Sequence, residues 1–257
     1  YAPSAVKAGA LVIDNTSHFR MDADVPLVVP EVNPEDIALY KKRGIIANPN
    51  CSTIQMVHIL APLHRAFGIE RVDVSTYQAV SGAGKRGIEE LFTQMRQILN
   101  FDIQSCQAEV FAHRIALNAI PHIDVFLDND YTKEEMKMIN ETNKILHTSL
   151  PISATCVRVP VLRSHSESIT IRFENAIDST KAREVLKNAP NVVLIDDVKN
   201  NQYPMPLTAT ETDQTYVGRI RVDNFDPKIL HLWCVADQLR VGAATNAVRI
   251  VQKWIEL

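Results

Sequence analysis

The segment Asn48-Pro49-Asn50-Cys51-Ser52-Thr53 carries the first chemistry legible in this chain. An apolar strand, Gly44 to Ala47, runs into an Asn/Pro turn, and an apolar-periodic helix, residues 51–67, follows up to Gly68. Cys51 therefore falls at a helix N-terminus, where free N–H groups and the positive end of the macrodipole favour thiolate. The same N–H groups suit the oxyanion formed when sulfur attacks an acyl carbon. The plain alternative is a buried cysteine packed at the head of a core helix. A nucleophilic Cys51 is expected to react with iodoacetamide near neutral pH ahead of the other three cysteines.

Four further groups could serve such a nucleophile. Arg158 interrupts an apolar strand-like run, TCVRVPVL, and a buried guanidinium needs an anionic partner, to which it offers two parallel donors. His165 follows in the polar stretch RSHSES, expected to be a turn between two strands, with a pKa suited to proton transfer. Gln78 ends the alternating run 70–80. Glu134 and Lys137 share one face of the helical segment EEMKMINETNKIL. Taken singly, these also fit a structural ion pair, a solvated turn, an ordinary strand end and a surface salt bridge.

The loop Ser81-Gly82-Ala83-Gly84-Lys85-Arg86-Gly87 holds three of the chain's eight glycines and formally reads G-x-G-x-x-G. A dinucleotide fingerprint should open the first βαβ unit, with an acidic residue about 20 positions on at the end of a strand. NFDIQSCQAE, after the next helix, does not read as a strand, so the loop implies close backbone approach rather than a pyrophosphate cradle.

The elements around these residues define an α/β chain. LVID, PLVVPEV and GIIAN read as short strands in the first 50 residues. Later strands at 166–175, 191–195, 215–223 and 231–239 follow one another closely enough to predict a mixed sheet, and the helix GAATNAVRIVQKWIEL closes the chain. The 257 residues are 46% hydrophobic, enough for a substantial core. A net charge of −3 gives no basic field for nucleic acid, so anions must be held by a few placed cations. No apolar run approaches the roughly 20 residues of a membrane helix. The four cysteines show no metal-ligand spacing and suit a reducing, cytoplasmic setting. The chain opens at Tyr1 in what reads as the middle of a βα unit, so an upstream segment is expected to be absent.

NPNCST, CVRV followed by RSHS, the SGAG loop, AHRIALNAIPHID and RVGAATNAVRI together resemble the aspartate-β-semialdehyde dehydrogenase family over nearly the whole chain. The resemblance implies a glyceraldehyde-3-phosphate dehydrogenase-like fold. It would comprise an incomplete Rossmann-type NADP-binding domain (1–50 and 241–257) and an α+β catalytic and dimerisation domain with a mixed sheet (51–240). It implies reductive dephosphorylation of L-aspartyl-β-phosphate by NADPH through a thioacyl enzyme, in lysine, threonine, methionine and diaminopimelate synthesis. By resemblance Cys51 is the nucleophile, His165 its acid–base partner and Gln78 the residue orienting the acyl group. Arg158 grips the α-carboxylate, Glu134 the amino group, and Lys137 and Arg20 the phosphate. Asn50 lies near the substrate, and Ser81, Gly82 and Asn246 lie on the NADP(H) side. A homodimer or homotetramer is implied, and no metal. Without the glycine-rich βαβ unit, a chain beginning at Tyr1 is expected to bind NADPH poorly. N-acetyl-γ-glutamyl-phosphate reductase shares the thioacyl logic, and a non-catalytic dimerisation fragment is the reading from a different class.

Overall fold

The computed structural model describes residues 1–256; Leu257, the end of the expected closing helix, lies outside the described residues. Helix α1 (Ala2–Lys7) leads to β1 (Val12–Asp14), which pairs in parallel with β2 (Ile45–Ala47). PLVVPEV forms no strand: Leu27 makes a single bridge to Ala47, and Pro26 and Pro30, which lack N–H donors, bracket the run. Its side chains still enter the core, Val28 and Val29 being fully buried.

Helix α2 (Cys51–Phe67) then lies against a six-stranded mixed sheet ordered β4-β3-β5-β8-β7-β6. The strands are β3 (Ile69–Gln78), β4 (Ile152–Arg158), β5 (His165–Phe173), β6 (Val192–Leu194), β7 (Thr215–Val222) and β8 (Ile229–Ala236). Strand β3 pairs in parallel with β4 and antiparallel with β5, so the mixed sheet expected from the pattern is present. Helices α3 (Gly84–Leu99), α4 (Lys133–Leu146), α5 (Ser179–Lys187) and α6 (Pro206–Ala209) fill the connections. A π-helical turn at Arg240–Ala244 precedes the closing α7 (Thr245–Ile255), which carries Ile250 and Trp254 onto Val28, Ile37, Ile46 and Tyr40.

Strand alternation puts the site on the helix-covered face of the sheet. Val72 and Val74 of β3, Ala154 of β4, Ile169, Ile171 and Phe173 of β5, and Leu230 and Leu232 of β8 pack against Met56, Ile59, Leu60 and Leu63 of α2. Toward one end of the sheet this face turns polar. The register sets Thr76 beside Cys156 and Glu167, and Glu167 beside Cys234. The next row sets Gln78 beside Arg158, with His165 opposite Ala236. The N-terminus of α2 is linked to this last row through Glu134, which accepts from both Asn50 and Gln78. No helix among the described residues is long and apolar enough to cross a membrane.

Candidate active site

Asn50 caps α2: its Oδ1 accepts the N–H groups of Ser52 at 2.9 Å and Thr53 at 3.3 Å. Its Nδ2 donates to Glu134 at 2.9 Å. With both ends of its amide engaged, Asn50 orients the turn that presents Cys51. Gly242 makes that turn possible from the far end of the chain, since a Cβ there would lie 2.7 Å from the Cys51 Cβ.

Glu134 is the hub rather than a solvated surface residue. It is buried and accepts from Asn50 Nδ2, from Gln78 Nε2 at 3.2 Å and from Lys137 Nζ at 3.1 Å. Gln78 is oriented from its other end by the Thr76 hydroxyl, 3.0 Å from its Oε1. Lys137 also donates to Asp124 at 2.8 Å. Burial pulls the Lys137 pKa down, but the Glu134 and Asp124 charges outweigh it and hold the ammonium above its usual range.

Arg158 is buried and donates from Nη1 to the Ala79 carbonyl at 2.7 Å, with Phe111 under its guanidinium. Burial holds its pKa below the usual arginine range against the pull of Glu134. Among the described residues Arg158 makes no salt bridge, whereas Arg20 and Lys137 both do. It is the site's cation with room for an incoming carboxylate.

His165 was expected on a polar turn. It is instead the first residue of β5 and fully buried, because the connection ends one residue earlier at Ser164, whose φ is +73°. The Ala79 N–H donates to its Nδ1 at 3.0 Å, so the neutral ring carries its proton on Nε2, which has no partner among the described residues. Burial, followed by the Arg158 charge, holds the imidazole well below its usual pKa. A Cβ on Gly82 would lie 2.9 Å from Arg158 Nη1 and 3.3 Å from His165 Nε2, so the glycine loop closes directly over both. Ser81 in that loop is tied by Gln238, whose Nε2 donates to Ser81 Oγ and whose Oε1 accepts the Ser164 N–H.

Arg20 is buried, donating to Glu141 at 3.0 Å and to the Asn15 carbonyl at 3.0 Å. Glu141 also accepts the Asn50 N–H at 2.6 Å and thus links Arg20 to the nucleophile's turn. Asn246 is buried, with Nδ2 on the Val28 carbonyl and Asn48 Oδ1 and its own Oδ1 unpartnered. The structure therefore brings Cys51, Gln78, Glu134, Lys137, Arg158, His165 and Arg20 into one connected region. Glu141 and Gln238 are additions that the motifs did not reveal. Glu141 stands one and two turns beyond Lys137 and Glu134 on the same helix face, a spacing that was available in the sequence. Gln238, a single glutamine after a strand, offered no such signal.

The state of Cys51 reverses the expectation from its helix position alone. Burial, then the Glu134 carboxylate, push the thiol up to about 12, while Arg158, the Ser52 N–H and Arg20 pull it down. The ligand-free protein thus holds a neutral thiol. Iodoacetamide labelling of Cys51 should rise steadily from pH 7 to 10, and Glu134→Gln should speed it at fixed pH by removing a charge that disfavours thiolate. A wild-type rate that levels off below pH 8 would contradict this.

A family profile described as "Semialdehyde dehydrogenase, dimerisation domain" matches residues 60–241, and one described as "Semialdehyde dehydrogenase, NAD binding domain" matches residues 1–40. The aspartate-semialdehyde dehydrogenase of Campylobacter jejuni is 67% identical over 257 residues, covering 100% of this chain and 75% of that protein. A crystal structure of aspartate semialdehyde dehydrogenase II from Vibrio cholerae superposes with a TM-score of 0.96 at 48% identity, over 99% of this chain and 75% of that one. A second structure of that protein, described as complexed with ASA, has a TM-score of 0.95 at 48% identity over the same shares. The enzyme of Candida albicans, solved with NADP, has a TM-score of 0.75 at 27% identity, over 98% of this chain and 72% of that one. The chain belongs to the aspartate-semialdehyde dehydrogenase family.

Proposed function

We propose that this chain interconverts L-aspartyl-β-phosphate and L-aspartate β-semialdehyde plus phosphate, with NADPH and NADP+ as the redox pair, in the synthesis of lysine, threonine, methionine and diaminopimelate. The observation that carries this reading is the buried Arg158, without a salt bridge among the described residues and within electrostatic reach of the Glu134 carboxylate. Together they complement an α-carboxylate and an α-ammonium, and Cys51 stands at the head of the helix that Asn50 links to Glu134.

In this reading the Cys51 sulfur attacks the acyl carbon, phosphate leaves, and a thioester forms. The thiol proton passes to the departing phosphate oxygen as the S–C bond forms and the C–O bond to phosphate breaks, so a neutral resting thiol and a phosphate dianion give a thioester and hydrogen phosphate. His165, with its proton on Nε2, donates to the oxygen as negative charge grows there. Arg20 and Lys137 face the leaving phosphate; Arg20 Nε is buried and without a partner among the described residues. Gln78, fixed between Thr76 and Glu134, borders the acyl group.

The residues fit a nicotinamide. The loop after Gly82 is open, a Cβ on Gly84 meeting nothing within 4 Å, and Asn246 Oδ1 is a buried acceptor without a partner. Ser81, Gly82 and Asn246 would hold the ring side of NADP(H), which when bound supplies or takes the hydride. We divide the chain into a cofactor portion, 1–50 with 241–257, and a catalytic and dimerisation portion, 51–240. A homodimer would form through the sheet face away from α2, where Tyr77 and Trp233 lie together. A cytoplasmic setting suits a chain whose four cysteines are all free.

The test offers aspartate β-semialdehyde and N-acetylglutamate γ-semialdehyde in the phosphorylating direction with NADP+ and phosphate. The first should be preferred by at least about 100-fold, since Glu134 favours a free ammonium that the acetylated substrate lacks. Equal rates, or a preference for the acetylated aldehyde, would overturn the assignment.

A further inference from the structure

Four residues on one face of α4 serve the site at spacings of three, four and three: Glu134, Lys137, Glu141 and Lys144. The first three contact side chains or main chain already described. The fourth lies in the last turn of the helix, and its ammonium meets no carboxylate among the described residues. Lys144 Nζ instead donates to three main-chain carbonyls, those of Arg20 at 2.7 Å, Asp22 at 2.8 Å and Val25 at 2.8 Å.

An ammonium has three N–H donors, and here three carbonyls take them. Lys144 is therefore saturated and has no donor left for a substrate anion. The segment it grips has little order of its own. Between Phe19 and Val25 the internal main-chain hydrogen bonds are those of Asp22 N to Phe19 O and Val25 N to Asp22 O. Inward-facing carbonyls in such a turn require donors from elsewhere, and the lysine supplies them at three points. The helix that carries the lysine is firmly seated. Thr132 and Glu135 close a capping box at its start, and Met138 and Ile145 are fully enclosed in the core. One helix thus holds Arg20 at both ends, its guanidinium through Glu141 and its carbonyl through Lys144.

We infer that Lys144 is a positioning residue for Arg20, fixing the 20–25 turn on α4 so that the guanidinium stands at the phosphate end of the site. The inference rests on the reading of Arg20 as a phosphate-facing cation. Lys144 acts through main-chain geometry at the far end of α4 from Glu134, and it touches neither Glu134 nor Arg158 of β4, which hold the amino-acid end.

Lys144→Met and Lys144→Gln, with Arg20→Met beside them, would be assayed in the phosphorylating direction, varying phosphate and aldehyde separately, with Tm recorded. The expected result is a phosphate KM raised about tenfold or more in Lys144→Met and less in Lys144→Gln, while the aldehyde KM stays within about twofold. Arg20→Met should raise the phosphate KM at least as far. If Arg20→Met leaves it unchanged, the phosphate reading of Arg20 falls. If Arg20→Met raises it while the Lys144 variants leave it unchanged or raise both KM values alike, the positioning role is overturned. Loss of fold in both Lys144 variants also overturns it, since the residue would then hold up the domain as a whole.

Discussion

Cys51→Ser should lower kcat/KM for the semialdehyde by at least about 10⁴-fold while leaving Tm within about 2 °C of the parent. The fold has little stake in the sulfur. Asn50 still caps α2, and a hydroxyl fits where Gly242 leaves room beside Cys51. The chemistry depends on it heavily. A serine hydroxyl is a much weaker acid and a poorer nucleophile than a thiol, so surroundings that already leave the thiol neutral leave the hydroxyl inert. An oxygen ester is also less readily reduced by hydride than a thioester. Steady-state rates and the absence of a covalent acyl adduct by mass spectrometry check this. Retention of more than about 1% of parent activity would mean that another group supplies the nucleophile.

Arg158→Met should lower kcat/KM by about 10² to 10⁴-fold, from the loss of two charge-assisted hydrogen bonds of roughly 1.5–3 kcal/mol each. Unlike most changes to a buried charge, it should not cost stability. Arg158 has no carboxylate partner among the described residues, where its burial is offset by the Ala79 carbonyl and the Phe111 face. Replacing it with a flexible apolar chain removes an unreturned desolvation cost, so Tm should hold or rise. Arg158→Lys should also fall short, because an ammonium cannot present two parallel donors to a carboxylate. Comparing aspartate β-semialdehyde with 3-aminopropanal, which lacks the carboxylate, isolates the effect. The parent should strongly prefer the former and the methionine variant should not; a preference that survives the substitution would place the carboxylate elsewhere.

What was legible from the sequence differs by residue for physical reasons. Asn50-Cys51 at a helix start was readable because capping is local: an asparagine accepts the N–H groups of the next residues whatever surrounds it. Arg158 was readable as a buried cation in search of an anion because strand alternation sets its face. The protonation state of Cys51 was not readable. The helix end argued for thiolate, but burial and Glu134, which arrives from a helix more than 80 residues away, decide the balance the other way. His165 was misplaced onto a turn because RSHSES is uniformly polar, and only pairing with β8 shows that the strand begins at the histidine. PLVVPEV was misread as a strand because its apolar character reflects packing, while its prolines deny it a ladder. The mixed sheet followed from the spacing of its strands; the partners Glu141, Gln238 and Lys144 emerged only when distant segments met.

Because Glu134, Lys137, Glu141 and Lys144 ride on one stiff rod, the spacing between the amine end and the phosphate end of the site is set by helical rise, about 1.5 Å per residue or some 10 Å from Glu134 to Glu141, which holds the Arg20 guanidinium. Errors at these four grips cannot occur independently. A tilt of the rod by a few degrees would shift the substrate's two poles and the nucleophile's loop in concert, whereas a local disturbance at one grip is resisted by the other three. The pocket therefore behaves as a gauge of substrate length built on a single member, and its calibration is most vulnerable at the capping box that seats the rod's first turn.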